Sequence, residues 1–232
     1  MIILRLSEEN IVQKRRDTRK RGKTKERLFN YSRSGIIIDN KPHFVITVDE
    51  KTLEDYEFQC LLDKYKGSII VPEDLENTPG LSDLLFDASA YIKKAIFENF
   101  KTMIFSGEYK SASLLIKDNN FGLSEDIVVL LPYVKNMVIQ TTEEHNTRTW
   151  QEDCFTEYGI KPKITDEKND VFLNFDIIAD FNNIKNDFLE ISIYDEVRRV
   201  YPNFKFLQIP DELKILENFN ISKKTICAAF KK

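Results

Sequence analysis

Between residues 111 and 194 the sequence alternates short apolar runs with helix-like segments, and this alternation restricts the possible folds more than any other feature. Several runs are unbroken, such as Leu114-Leu115-Ile116, which is typical of strands in a parallel sheet covered on both faces. Alternating strands and helices favour right-handed crossovers and an open α/β sheet. The predicted strands are residues 112–116, 136–140, 161–165, 171–175 and 188–194.

Two helices are predicted between these strands. The first has an apolar stripe at helical spacing after Ser124, a suitable N-cap, and Pro132 kinks or ends it. The second places Trp150 and Cys154 on one buried stripe and closes at Gly159 in the left-handed conformation. We therefore expect an α/β fold with a mostly parallel sheet and helices on both faces.

The residues before this stretch predict a smaller α/β unit that precedes the main one. We place the boundary near Gly107, which gives a small α/β unit at 1–107 and a larger domain at 108–232. Cys227 is expected to fill the core beneath a C-terminal helix at 222–230. Other strands are predicted at residues 2–6, 35–39, 44–48, 68–71, 102–105 and 204–209.

Charge is distributed unevenly along the chain. The net charge is −4, yet residues 14–33 hold ten basic and two acidic residues, a local charge of +8, and the remainder carries −12. Clustered Lys and Arg neutralise phosphates and release counterions, which favours nucleic acid or another anionic partner. The alternative is a solvated segment against the acidic remainder, because no aromatic residues are interleaved through its densest part. The anionic-partner candidates are Arg15, Arg16, Arg19, Lys20, Arg21 and Lys23.

The remaining composition excludes several classes. The N-terminus lacks the order of a secretory signal, and no run approaches the roughly 18 apolar residues of a membrane span. Cys60, Cys154 and Cys227 are far apart and odd in number, so neither a disulfide framework nor a paired-cysteine metal site is predicted. His43 and His145 lack a partner at metal-ligand spacing and are expected at the surface. We expect a cytoplasmic protein with no metal site and no membrane partner.

The turn after the first strand of the larger domain, residues 117–124, lacks a glycine-rich phosphate loop. Dinucleotide binding there uses three glycines so that backbone amides and a helix N-terminus meet the pyrophosphate, and here Gly122 stands alone. Glu125 and Asp126 follow in the first helical turn, where each would repel a phosphate by on the order of 4 kcal/mol at about 4 Å. Lys117 either offsets part of this repulsion or is simply an exposed lysine at the end of a strand. Ordinary dinucleotide binding at this turn is therefore disfavoured.

The segment after the second strand, residues 140–149, carries hydroxyls, amides and an arginine where the ribose or 2′-phosphate of a nucleotide would lie. The order of elements resembles the nucleotide domain of shikimate-dehydrogenase-type enzymes, in which an Asn-Arg-Thr turn follows the second strand. Asn146, Arg148 and Thr149 match that turn with one inserted residue. The resemblance covers about 80 residues and implies a Rossmann-like fold. The outline is also similar to Rossmann-like proteins of Gram-positive anaerobes with no named activity.

Three functions are compatible with these observations. The leading hypothesis is a Rossmann-like protein that lacks the glycine fingerprint and binds a small molecule or a protein partner without catalysis. The second is a divergent NADP- or nucleotide-dependent oxidoreductase that uses Arg148 on a 2′-phosphate, and the third is nucleic-acid binding through residues 14–33. No catalytic residue is assigned. The ligand-binding candidates are Lys117, Gly122, Ser124, Thr141, Thr142, Asn146, Arg148 and Thr149.

Overall fold

The computed structural model describes residues 1–7, 31–38, 40–143, 147–166, 174–185 and 187–230. The chain divides into two compact units, Met1–Ala88 with Gln208–Lys232, and Ser89–Leu207. This division differs from the single boundary near Gly107 predicted from the sequence. The reason is that the helix starting at Ser89 packs in the core of the second unit, whereas the C-terminal residues pack in the core of the first. Among the described residues no helix is long and apolar enough to cross a membrane.

A four-stranded sheet forms the first unit, in the order β2-β3-β1-β4. β1 runs parallel to both of its neighbours, while β2 and β3 form an antiparallel hairpin. The sequence predicted a strand in each of these places, and the observed ends differ by a few residues, which is the usual error for element ends. The strands are β1 Ile2–Leu6, β2 Tyr31–Ile38, β3 Lys41–Val48 and β4 Ile69–Ile70.

Helices cover both faces of this first sheet. Successive residues of a strand point to opposite faces, so Ile2 and Leu4 pack in one cluster and Ile3 in another. The first cluster includes residues of helices α1 (Glu50–Leu53) and α2 (Tyr56–Leu62). The second includes residues of the 3-10 helix Asp211–Phe219 and the C-terminal helix Lys223–Phe230, in which Cys227 is buried as predicted.

The prediction of a surface position for His43 is wrong. His43 lies in β3 with only 8% of its surface exposed, and its ring contacts that of Phe230 edge-on at 5.3 Å. Alternation along the strand puts it on the same face as buried Val45. Burial, followed by the nearby N-terminal ammonium, lowers the pKa of this imidazole. His145 lies outside the described residues.

The second unit is built on a six-stranded sheet, in the order β10-β9-β8-β5-β6-β7. The four strands β8, β5, β6 and β7 are parallel, and β9 and β10 extend the sheet as an antiparallel meander. Counted from the first strand of the unit, the order is 3-2-1-4-5-6, which is the order of dinucleotide-binding sheets. The likeness in strand direction covers only the first four strands, because the fifth and sixth are paired antiparallel here, whereas a dinucleotide-binding sheet has a second βαβαβ half. The strands are β5 Ser113–Lys117, β6 Asn136–Gln140, β7 Lys163–Thr165, β8 Ile177–Lys185, β9 Phe188–Ile193 and β10 Glu196–Val200.

Three predicted strands do not match this sheet. Residues 102–105 are the end of helix α3 (Ser89–Phe105), whose buried residues recur about every four positions. Residues 204–207 form a hydrogen-bonded turn, and no strand follows to residue 209. Of the strand predicted at 171–175, residues 171–173 lie outside the described residues, and the strand that pairs with β5 starts at Ile177.

The core of the second unit is a single cluster between the sheet and its helices. It combines residues of α3, of α4 (Ser124–Ile127) and of α5 (Thr147–Tyr158). The helix predicted from Ser124 onward continues as the 3-10 helix Val128–Tyr133, which contains Pro132. Cys154 is buried and Trp150 half-buried in this cluster, as predicted. The expected fold class is confirmed: an α/β protein with mostly parallel sheets flanked by helices.

Candidate binding site at the carboxyl edge of the second sheet

The connections of the second sheet define one place where a ligand site is expected. From β5 the chain proceeds to β6 and then β7 on one side, whereas β8 lies on the other side of β5. In open α/β sheets this reversal opens a crevice outside the carboxyl ends of the two central strands, and ligands bind there. This crevice is expected next to the end of β5 and next to Asp180, where the pairing of β8 with β5 stops.

A buried carboxylate closes the turn after β5. Asp118 is completely buried, and its Oδ1 lies 2.9 Å from the Nζ of Lys93 on α3. Its Oδ2 accepts a hydrogen bond of 2.9 Å from the backbone N–H of Leu123, immediately before α4. A backbone donor at a helix start is the group that binds phosphate in dinucleotide-binding turns. Here a side chain of the protein itself occupies that donor.

The backbone conformation of this turn does not require a glycine at position 122. Phe121 adopts the left-handed conformation, with φ of 52°, although this conformation favours glycine. Its buried ring packs edge-on against Trp150 at 5.1 Å, which fixes the turn despite the strain. At Gly122 φ is not positive, and an added Cβ would meet nothing within 4 Å. The left-handed position thus lies one residue before the glycine that the sequence suggested as a ligand residue.

The hydroxyls of Thr141 and Thr142 both hydrogen-bond within the turn. Both donate to the backbone carbonyl of Asn119, at 2.8 Å and 3.1 Å. The side chain of Asn119 also accepts from the Nδ2 of Asn182 at 2.9 Å, and its N–H donates to the Oδ1 of Asn182 at 2.8 Å. Asn119 therefore ties together the carboxyl ends of β5, β6 and β8, which makes this edge of the sheet rigid.

A row of four polar residues crosses the parallel strands at this edge. Lys117 is in register with Gln140 on one side and Asp180 on the other, and Gln140 is in register with Thr165. Directly opposite residues share a face of a sheet, so an ammonium, a carboxylate, an amide and a hydroxyl lie side by side. All four residues are half-buried. Leu115 lies two positions before Lys117 and thus on the same face, opposite to Leu114 and Ile116 in the core cluster.

The other sequence-predicted residues are placed less centrally. Ser124 begins α4, but Leu123 is the N-cap residue, and the Ser124 carbonyl accepts the indole N–H of Trp150 at 3.0 Å. Arg148 and Thr149 are exposed in the first turn of α5, and in the described part of the chain Arg148 makes no hydrogen bond or ion pair. Asn146 and the six anionic-partner candidates between Arg15 and Lys23 lie outside the described residues, so their roles stay predictions.

Sequence reasoning missed the residues that dominate this edge. Lys93 lies on a helix 25 residues before Asp118, and no local pattern connects the two. Asp180 and Asn182 belong to β8, a strand that was not predicted because its apolar alternation breaks off at two asparagines. The one available signal was Asp118 itself, a charged residue directly after a buried strand, where α/β folds place functional or structural polar groups.

These features define a two-unit α/β protein whose second sheet has the strand order of dinucleotide-binding folds. No family model matches the sequence, and a comparison with curated proteins gives no significant match. Among solved structures, the chain is similar to the L-tryptophan dehydrogenase from Nostoc punctiforme, with a TM-score of 0.29 and 12% identity over 60% of this chain. The match spans 44% of the length of that enzyme. The fold assignment therefore rests on the strand order described above.

Proposed function

We propose that this protein binds a small polar molecule at the carboxyl edge of its second sheet, without a dinucleotide cofactor and without dehydrogenase chemistry. The observation that carries this proposal is the buried Asp118 carboxylate, which holds the Leu123 N–H and is neutralised by Lys93. The donor that a pyrophosphate would need is already satisfied within the chain.

The energetics oppose displacement of Asp118 by a phosphate. A helix N-terminus stabilises an anion by about 0.3–1 kcal/mol at an exposed site and by up to about 2 kcal/mol in a partly buried one. A phosphate that took the Leu123 N–H would leave the Oδ2 of a completely buried carboxylate without its donor, which costs about 1–3 kcal/mol and more for a charged group. Repulsion between the phosphate and the adjacent carboxylate adds to that cost. Because the cost exceeds the gain, a dinucleotide would not displace Asp118 from Leu123. This difference argues against the oxidoreductase hypothesis.

The polar row suggests the chemistry of the ligand. Lys117 supplies donors and a positive charge, Asp180 supplies acceptors and a negative charge, and Gln140 supplies both kinds of group. A ligand that presents an acceptor to Lys117 and a donor to Asp180 would satisfy both half-buried charges at once. Such a ligand is small and polar, and it is neutral or carries charges of both signs.

A thermal-shift panel tests this function. We expect no stabilisation by NAD or NADP at millimolar concentration, and stabilisation by a compound of a panel of amino acids, amides and polyols. A ligand at 100 times its dissociation constant adds about 2.7 kcal/mol to the free energy of unfolding. The effect should disappear in Lys117→Met and in Asp180→Asn. It should persist in Lys163→Met, which removes an exposed lysine from β7.

Two results would contradict the proposal. Stabilisation by NADP that is lost in Arg148→Gln would instead support the oxidoreductase hypothesis. A hit compound whose effect survives both Lys117→Met and Asp180→Asn would show that the ligand binds away from the polar row.

A further inference from the structure

The first unit has a cleft of its own, at the carboxyl ends of its parallel strands. The cleft has a volume of about 520 Å³. This lies in the range of small-molecule sites, about 300–1,000 Å³. β1 ends in its floor, and the residues that follow β4 form one wall. The polar side chains that line it are Arg5, Ser7, Thr47, Asp74, Asn218 and Asn220.

Arg5 is held in a defined position in this cleft. It lies opposite Thr47 in the register of β1 and β3, and its Nε donates a hydrogen bond of 3.0 Å to the Thr47 hydroxyl. Its guanidinium carbon lies 5.4 Å from the centre of the Phe219 ring, within cation–π distance. A guanidinium has five N–H donors, of which the bond to Thr47 uses one. The remaining donors form the planar fork that pairs with carboxylate or phosphate.

The wall that carries Phe219 is tied to the opposite side of the cleft. Asn220 ends the 3-10 helix in the left-handed conformation, and its carbonyl accepts a hydrogen bond of 3.0 Å from the N–H of Glu73. Pro72 and Leu75 provide apolar surface beside it. The cleft thus combines one arginine, an aromatic ring and apolar side chains in a fixed arrangement, and Asp74 is the one acidic residue among its lining residues.

The charge of the adjoining sequence favours the same sign of ligand. The chain leaves the described structure after Ser7, which lines the cleft, and is described again from Tyr31, which pairs with Val48 at the end of β3. Residues 8–30 contain nine basic and four acidic residues, a net charge of +5. Sequence charge of this sign adds to the summed field of the protein, which favours anions.

We infer that this cleft binds a small organic anion, whose carboxylate or phosphate pairs with Arg5 and whose carbon skeleton packs against Phe219 and Leu75. The site lies in the other unit from the polar row and is independent of the function proposed for that row. The protein would then bind two ligands of different chemistry, a neutral or doubly charged polar molecule at the polar row and an anion in this cleft.

Calorimetric titration of the full chain at low salt tests this inference, with inorganic phosphate, citrate, AMP and uncharged adenosine as probes. We expect citrate or AMP to bind, adenosine not to bind, and affinity to fall as salt is added. A preference for citrate or for AMP distinguishes a carboxylate from a phosphate ligand. Arg5→Gln should weaken binding about tenfold or more, because a charge-assisted hydrogen bond is lost.

Two further variants separate the site from a general effect of charge or folding. Asp74→Asn should tighten binding by roughly two- to fivefold, since it removes the acidic residue of the lining. A damaged fold does not produce such a gain. Arg33→Gln should leave affinity unchanged, because Arg33 stacks on Phe44 at 3.6 Å and does not line the cleft. The inference is overturned if none of the anions binds at millimolar concentration, if the two arginine variants behave alike, or if Asp74→Asn fails to tighten binding.

Discussion

Replacing Lys93 by methionine should destabilise the second unit far more than the loss of an ordinary helix lysine would. The substitution keeps the helix propensity and most of the length of the side chain but removes the positive charge beside Asp118. The carboxylate is completely buried, and the lysine side chain is 17% exposed. A buried carboxylate that has lost its partner ion is costly because water cannot replace that partner.

The magnitude follows from the contacts of Asp118. Removing one partner of a buried ion pair costs roughly 3–5 kcal/mol. Asp118 keeps its hydrogen bond from Leu123, so we place the loss near the lower value, at about 3 kcal/mol. Asp118→Asn should cost less, about 1–2 kcal/mol, because the amide oxygen still accepts from Leu123 and Lys93 can reach solvent. The double variant Lys93→Met/Asp118→Asn should lose less stability than the two single losses added together, and the difference should be about 1–2 kcal/mol.

Urea unfolding followed by tryptophan fluorescence measures these losses. Trp150 is the only tryptophan in the sequence. Its ring contacts that of Phe121, which lies in the same turn as Asp118, so the fluorescence reports unfolding of the second unit. Lys94→Met is the matched control. Lys94 is the next residue of α3 and pairs with Asp126 at 3.5 Å, but the two side chains are 54% and 30% exposed. An exposed pair of this kind contributes at most about 1 kcal/mol.

Equal losses for Lys93→Met and Lys94→Met would refute this reasoning. So would an additive double variant, because additivity would mean that Lys93 and Asp118 do not interact in the folded protein.

Three further predictions concern single residues. Gly80→Ala should lower the free energy of unfolding by about 1–3 kcal/mol in chemical denaturation, because φ is +80° and the new Cβ would lie 2.2 Å from the side-chain oxygen of Gln59. Gly122→Ala is the control and should be neutral or slightly stabilising, because its Cβ would meet nothing within 4 Å. The pKa of His43 is lowered from its ordinary 6.5, so the unfolded chain takes up a proton at a higher pH than the folded protein does. The free energy of unfolding should therefore fall as pH drops below about 6.5. In melting curves recorded from pH 8 to 5, His43→Gln should flatten that dependence. With a thiol reagent, exposed Cys60 should react quickly, and the two buried cysteines should react only on unfolding.

The buried thiols illustrate why burial controls that reactivity. Burial, followed by the charges of Asp153 and Glu157, raises the pKa of Cys154 to about 11, so the thiolate is scarce at neutral pH. Rapid modification of all three thiols in the folded protein would contradict the core positions of Cys154 and Cys227.

The sequence predicted the elements whose patterns are local. Strand β6 was placed to the residue, and the unbroken run at Leu114-Leu115-Ile116 correctly indicated a central parallel strand. The absence of a glycine fingerprint after β5 was also visible, and it led to the expectation of a turn unsuited to dinucleotides. These features depend on residues close together in the chain, which is why patterning reveals them.

The parts that were missed depend on tertiary contacts. Helix α3 runs through residues 102–105, where β-favouring residues suggested a strand, because its buried face packs on the second sheet. The chain crosses between units twice, a fact that only the packing of the C-terminal residues reveals. Likewise, the ion pair of Lys93 and Asp118 joins a helix to a turn 25 residues later, and no pattern in the sequence specifies that meeting.

The most direct test of the central claim is the chemical shift of the Leu123 amide in a proton–nitrogen NMR titration with NADP. That N–H donates to Asp118, and it is the group that a cofactor phosphate would have to claim. We predict that its resonance stays fixed as NADP is raised to several millimolar. A saturable shift of the Leu123 amide would contradict the account, because it would show that a phosphate displaces the carboxylate after all.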